Sequence, residues 1–137
     1  LFCVETFSNS GSICITDIFC YYYRQHAEST VANKYANSLY VDWLKSIDLV
    51  GDSFDILKLQ KPYCRLKVKT IHQLVRELRY VKKDEAAPAM VCVREKMIAW
   101  QISLSGLLRH RSFNYSNILK VFQINHILWK LSMKYDL

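Results

Sequence analysis

The stretch Trp43-Leu44-Lys45-Ser46-Ile47-Asp48-Leu49-Val50-Gly51-Asp52-Ser53-Phe54-Asp55 repeats its apolar residues with the period of a helix. On a helix advancing about 100° per residue, Trp43, Ile47, Val50 and Phe54 fall within about 60° of one another and form one narrow oily stripe. Gly51 lies beside that stripe, where the missing side chain admits another group at close range. Asp52 and Asp55 follow as carboxylates able to pair with a basic residue on a receiving surface. Anchors at i, i+4, i+7 and i+11 are how a hydrophobic groove reads a docked helix. The spacing predicts a helix over about residues 38–56 with a partner-binding face.

The same period extends outward. Residues 12–27 predict a helix with Ser12 as its cap, residues 28–33 a short polar connection, and Ser29 or Thr30 a cap for the next helix. Pro62 predicts a break, and Thr70 a cap for a stretch with Ile71, Leu74, Val75, Leu78 and Val81 on one side. Asp84, Glu85 and Pro88 predict a further boundary. Residues 89–108 are apolar over most of a helical circumference, which predicts one central helix closed by Arg109, His110 and Arg111. Ser116 opens the last helix, with Ile118, Leu119, Phe122, Ile124, Ile127, Leu128 and Leu131 periodic. The fold class expected is all-α: one domain over residues 1–137, a central apolar helix surrounded by amphipathic ones.

Composition narrows the function. With 51% hydrophobic residues and only 3 Gly and 2 Pro, the chain has material for a core and little for a turn-rich β architecture. Residues 1–27 carry no basic leader before an apolar run, and no segment approaches the roughly 18 uncharged apolar residues of a membrane span. Cys3, Cys14, Cys20, Cys64 and Cys92 are widely spaced, which predicts reduced thiols of a cytoplasmic protein. His26, His72, His110 and His126 do not cluster, so no metal is expected. Nucleotide loops, nucleophile elbows and zinc-hydrolase motifs are absent from the sequence, so no catalytic residue, cofactor or small-molecule substrate is expected. The net charge of +7 is lopsided: residues 1–57 hold 3 Lys/Arg against 7 Asp/Glu, and residues 58–137 hold 16 against 5. Arg65, Lys67, Lys69, Lys82 and Lys83 are candidates to face an anionic membrane, whereas no basic-aromatic motif points to nucleic acid.

Three segments carry a family resemblance. They are Cys14-Ile15-Thr16-Asp17-Ile18; Val50-Gly51-Asp52-Ser53-Phe54-Asp55 with its upstream anchors; and Glu95-Lys96-Met97 with Ser116-Asn117-Ile118-Leu119. Through them the chain resembles the Bcl-2 family of apoptosis regulators, with residues 43–55 matching its BH3 motif. The resemblance implies a Bcl-2-like helical bundle. It also implies a pro-apoptotic BH3 ligand that docks into grooves of pro-survival and effector family members. Such a protein is cytoplasmic and translocates to the mitochondrial outer membrane, promoting its permeabilisation. The partner-binding residues would be Trp43, Ile47, Val50, Gly51, Asp52, Phe54 and Asp55.

Two departures qualify the likeness. No Asp lies between Asp17 and Asp42, where death agonists of the family have a long loop cut by caspases. Ile98-Ala99-Trp100-Gln101 stands nearest the family's groove signature but lacks its Gly and Arg, which favours a donor of the motif over a receiver. The alternative is a groove-bearing regulator that sequesters BH3 ligands and inhibits apoptosis.

Overall fold

The computed structural model describes Ser10, residues 37–56 and residues 58–136. The helix predicted over residues 12–27, its caps, the connection after it, and Cys3, Cys14, Cys20 and His26 lie outside the described residues. Among the described residues the protein is all-α, with no strand. Helix α1 spans Asn37–Leu49 and α2 spans Gly51–Ile56. Val50 N donates to Ser46 O at 3.3 Å and Phe54 N to Val50 O at 3.2 Å, so the two run on as one rod jointed at Val50. Then come α3 (Gln60–Glu77), a single 3-10 turn (Leu78–Tyr80), α4 (Lys83–Ala99), α5 (Leu104–Arg109) and α6 (Tyr115–Tyr135).

The prolines act differently from expectation. Helix α3 starts two residues before Pro62, in whose first-turn position the missing N–H has no intrahelical partner to lose. It then runs straight through Thr70, which is buried in mid-helix and caps nothing. The reason is the unbroken apolar stripe Cys64, Val68, Ile71 and Val75, which keeps helical register across the whole segment. Pro88 lies inside α4, which begins at Lys83. There it forfeits a hydrogen bond to the Asp84 carbonyl, while Ala86, Ala89, Met90 and Val93 around it are fully or almost fully buried.

The core sits between α3 and α6. Val68, Ile71 and Val75 from α3 pack in one cluster with Val121, Ile124, Leu128 and Leu131 from α6, with Leu44 of α1 and Leu107 of α5 closing it. The inward face of α6 is the one expected at Ile124, Ile127, Leu128 and Leu131, which are buried, but Leu119 and Phe122 are exposed, and Asn117, Val121 and Tyr135 are buried as well. The cap of α6 is Asn114, whose Oδ1 accepts from Asn117 N at 3.0 Å, so Ser116 lies one residue inside the helix. Two polar bonds tie the ends of this pair. Ser112 Oγ donates to Lys61 O at 3.1 Å, and Tyr135 OH donates to Val81 O at 2.8 Å.

Residues 89–108 do not form the single central helix expected. Helix α4 stops at Ala99, and Ile98 is 78% exposed. Ile102 N donates to Met97 O at 2.8 Å and Gln101 N to Ile98 O at 3.0 Å, with Gln101 left-handed at φ 54°. This paired 6→1 and 5→2 pattern is a Schellman stop with glutamine where glycine is usual. The same pair recurs after α2 around Lys58 (φ 56°) and after α5 around Arg111 (φ 51°). Gly106 is spent elsewhere: a Cβ there would lie 1.7 Å from the Gln101 carbonyl oxygen, so only glycine lets α5 fold back on that turn.

A non-glycine residue in the left-handed region costs about 1 kcal/mol or more. Lys58→Gly should therefore raise the stability of the native chain by about 0.5–1 kcal/mol after glycine's own entropic cost. A higher urea midpoint with unchanged slope is the expected measurement; Lys58→Val should lower it.

Candidate functional site: the rod of residues 43–55

The expected anchors do share one face. Ile47 and Val50 are buried, Trp43 and Phe54 are half-buried, and Leu44, absent from the predicted stripe, is buried more deeply than any of them. Asp52 and Asp55 are exposed. The rod packs against both α3 and α4, and on the α3 side the residue that meets its second half is Tyr63. Its hydroxyl donates to the Ile47 carbonyl at 3.0 Å, and its ring stacks on Phe54 with centroids 5.1 Å apart. A Cβ on Gly51 would stand 2.6 Å from the same hydroxyl, so glycine is what lets the phenol reach the helix backbone. The spacing correctly marks Gly51 as a point of close approach, and in this fold the approaching group is Tyr63.

Electrostatics reinforce the contact. Asp48, one turn before Asp52, pairs with Lys96 and accepts from Trp100 Nε1 at 2.6 Å, tying α1 to the end of α4. Asp55 accepts from Gln60 Nε2 across the turn into α3. Lys67 lies over the Tyr63 ring, its Nζ 3.9 Å from the centroid. Burial lowers the Lys67 ammonium below its usual range, opposed by Cys64, Asp48 and Asp55. Burial, then the negative field of Asp48, Asp55 and Asp52, pushes the Tyr63 phenol up to about 12.

The basic candidates divide into three places. Arg65 and Lys69 are exposed on α3, Lys82 and Lys83 are exposed beyond its far end, and Lys67 is turned in over Tyr63. No helix among the described residues is long and apolar enough to cross a membrane. Cys64 is a buried free thiol and Cys92 a half-buried one whose pKa burial raises. Tyr63, Asp48, Lys96 and Trp100 are the site residues that sequence reasoning missed. Lys96 and Trp100 share a face at i, i+4, but nothing in the chain marks either as a partner of a residue about fifty positions away.

A second concavity, of about 950 Å³, opens between α4, α5 and α6. Met97, Ile102 and Leu128 line it, Ile98 and Trp129 stand exposed beside them, and Arg94 and Arg109 sit at its edge. Arg94 donates to Ser132 Oγ at 2.6 Å and Arg109 to Gln101 Oε1 at 2.9 Å, so both guanidinium groups are positioned without a carboxylate.

Comparison with models of known families, with curated proteins and with solved structures finds no significant match to this chain. The residues themselves therefore carry the functional reading.

Because the folded phenol ionises near pH 12 and the unfolded one near 10, Tyr63 stabilises the fold fully below pH 10. That contribution is lost as pH rises from 10 to 12. Tyr63→Phe should cost about 0.5–1.5 kcal/mol at neutral pH through the lost hydrogen bond. It should also flatten the alkaline limb of stability, read as urea midpoints between pH 8 and 12. Parallel wild-type and variant curves over that range would disprove the role given to the phenol.

Proposed function

We propose that the chain is a latent BH3 ligand of the Bcl-2 family, most like the death agonist Bid. The carrying observation is that a helix with the full motif turns its anchors into the fold, with Phe54 stacked on Tyr63, while Asp52 and Asp55 stay exposed. The same four side chains that the fold takes wholly or partly inward are those a groove would take, so packing and docking compete. Release breaks the Tyr63–Ile47 bond, the Phe54 stack and the Asp48 tether. Docking then returns about 1.5–3 kcal/mol for each anchor fully buried by the partner, less the costs of association. Asp52 supplies the charged contact to a groove arginine, and Gly51 the close approach. The exposed Arg65 and Lys69 on α3, with Lys82 and Lys83, would draw the released protein to an anionic outer mitochondrial membrane at about 1 kcal/mol per well-placed charge.

Gly51→Glu is an ambiguous probe, because the new side chain collides with Tyr63 in the resting fold before any partner is met. Asp52 is exposed and free of that problem. Asp52→Ala should weaken binding to a pro-survival family member about 10-fold or more, the value of a charge-assisted hydrogen bond. The thermal midpoint should stay within about a degree. Titration calorimetry checks the first and circular dichroism the second; unchanged affinity defeats the proposal.

The concavity between α4, α5 and α6 favours a second reading, in which the chain sequesters BH3 ligands. Apolar lining with two arginines at the edge is the chemistry that receives an acidic amphipathic helix. On this reading a labelled BH3 peptide binds the whole chain with a polarisation increase that Arg94→Glu with Arg109→Glu abolishes. On the first reading the peptide is left free.

A further inference from the structure

Helix α3 and helix α6 share a basic seam of which the reading above uses only Arg65 and Lys69. On α3, Arg65, Lys69, His72 and Arg76 lie within about 60° of helical arc, and Arg79 follows on the 3-10 turn. Across the seam from the last three stand His126, Lys130 and Lys134 of α6. His72 and Gln123 line the same recess, which sets the two helices side by side at this level. Two adjoining recesses result. One of about 320 Å³ is lined by His72, Arg76, Arg79, Gln123, His126 and Ile127. The other, of about 760 Å³, shares Arg79 and His126 and continues to Lys130 and Lys134. No carboxylate lines either recess, and among the described residues the ion pair present is Lys96–Asp48, on another face. Arg79 Nε leans on the Arg76 carbonyl at 3.5 Å, and Lys134 Nζ bonds to the Tyr135 hydroxyl at 3.2 Å. Four permanent cations and two imidazoles thus converge on concave surface with no counter-charge, a focused positive field.

We propose that this seam is a binding site for a compact anion carrying several phosphoryl groups, held by Arg76, Arg79, Lys130 and Lys134 with His72 and His126 at the recess. Guanidinium groups match phosphate oxygens bidentately and lysines add point charge, which is the donor set present. The recess is a pocket and not a broad cleft, so it suits a small polyanion better than a duplex. An anion there also acts on His72. Burial lowers its pKa, Gln123 opposes this, and Arg76, Lys120 and Arg79 lower it further. Bound negative charge cancels that field, so the complex takes up a proton and binding tightens as pH falls through the imidazole range.

Tripolyphosphate is the probe, with the whole chain at fixed ionic strength. Saturable binding is expected by calorimetry, weakened about tenfold by Arg76→Gln with Lys130→Gln and unaffected by Lys45→Gln with Lys58→Gln on the α1–α2 side. Tightening from pH 7.5 to 6 should shrink in His72→Gln. All these side chains except His72 are exposed, so circular dichroism should show unchanged folding. Vesicles with and without acidic phospholipid distinguish the source: vesicle binding displaced by tripolyphosphate assigns the same seam to headgroups. Equal loss in both double variants, no saturable binding, or vesicle or duplex DNA binding that tripolyphosphate cannot displace overturns the site.

Discussion

One phenol ties the jointed rod of residues 43–55 to α3, at the face where the proposed ligand motif lies. Tyr63 caps the joint between α1 and α2 by bonding the Ile47 carbonyl, fills the gap left by Gly51, and stacks on Phe54. Each contact requires the others. Without glycine at position 51 the hydroxyl has no room; without the hydroxyl the carbonyl at the helix joint loses a buried donor; without the ring Phe54 loses its stacking partner. The constraint explains why α1 and α2 stay in line although Val50 between them is assigned to neither. It also makes the resting state self-consistent: the face that defines the motif is the face turned into the fold.

Much of the helix content is legible in the sequence because it is written as spacing. The stripe of Trp43, Ile47, Val50 and Phe54 is real and inward, and the register of α3 follows Cys64, Val68, Ile71 and Val75. The helix ends are less legible, for a physical reason. Four stops use Lys58, Gln101, Arg111 and Asp136 in left-handed conformations, none of them the glycine that marks such a stop in a sequence, whereas both prolines sit within helices. The break at Gln101 is what converts the expected central apolar helix into α4 and α5, leaving Ile98 exposed. Of the site, the helix face is readable and its cover is not. Tyr63 looks like any aromatic after a proline, and the match between its reach and the Gly51 gap exists only once α2 and α3 fold back on each other.

Charge follows the same division. The acidic rod meets Lys96 through Asp48 and Lys67 through Asp48 and Asp55, so part of the lopsided charge seen in the sequence is settled within the fold. Lys67 shows how linear charge counting misleads: it belongs with the basic run of α3 by position but spends its charge on Tyr63 and the carboxylates around it. His72, Arg76 and Arg79 instead line a recess against α6 in which no carboxylate takes part.

The contacts that bury the motif fix how latent a ligand of this kind is. A buried hydrogen bond, an aromatic stack and two buried aliphatic side chains amount to roughly 5–8 kcal/mol of gross interaction. At about 1.4 kcal/mol per power of ten, that sets an upper limit of about four to six powers of ten on how far the exposed population is lowered, because a released rod regains conformational entropy. On the proposed reading apparent affinity falls by the same fraction, since a partner sees only the molecules whose rod is free. A groove that binds the bare helix with nanomolar affinity would then meet the resting protein more weakly, by at most that factor. Loosening one contact recovers only the decade or so which that contact supplies. An activating event acting on Tyr63 reaches further, because the phenol takes part in the hydrogen bond, the stack and the close approach at once.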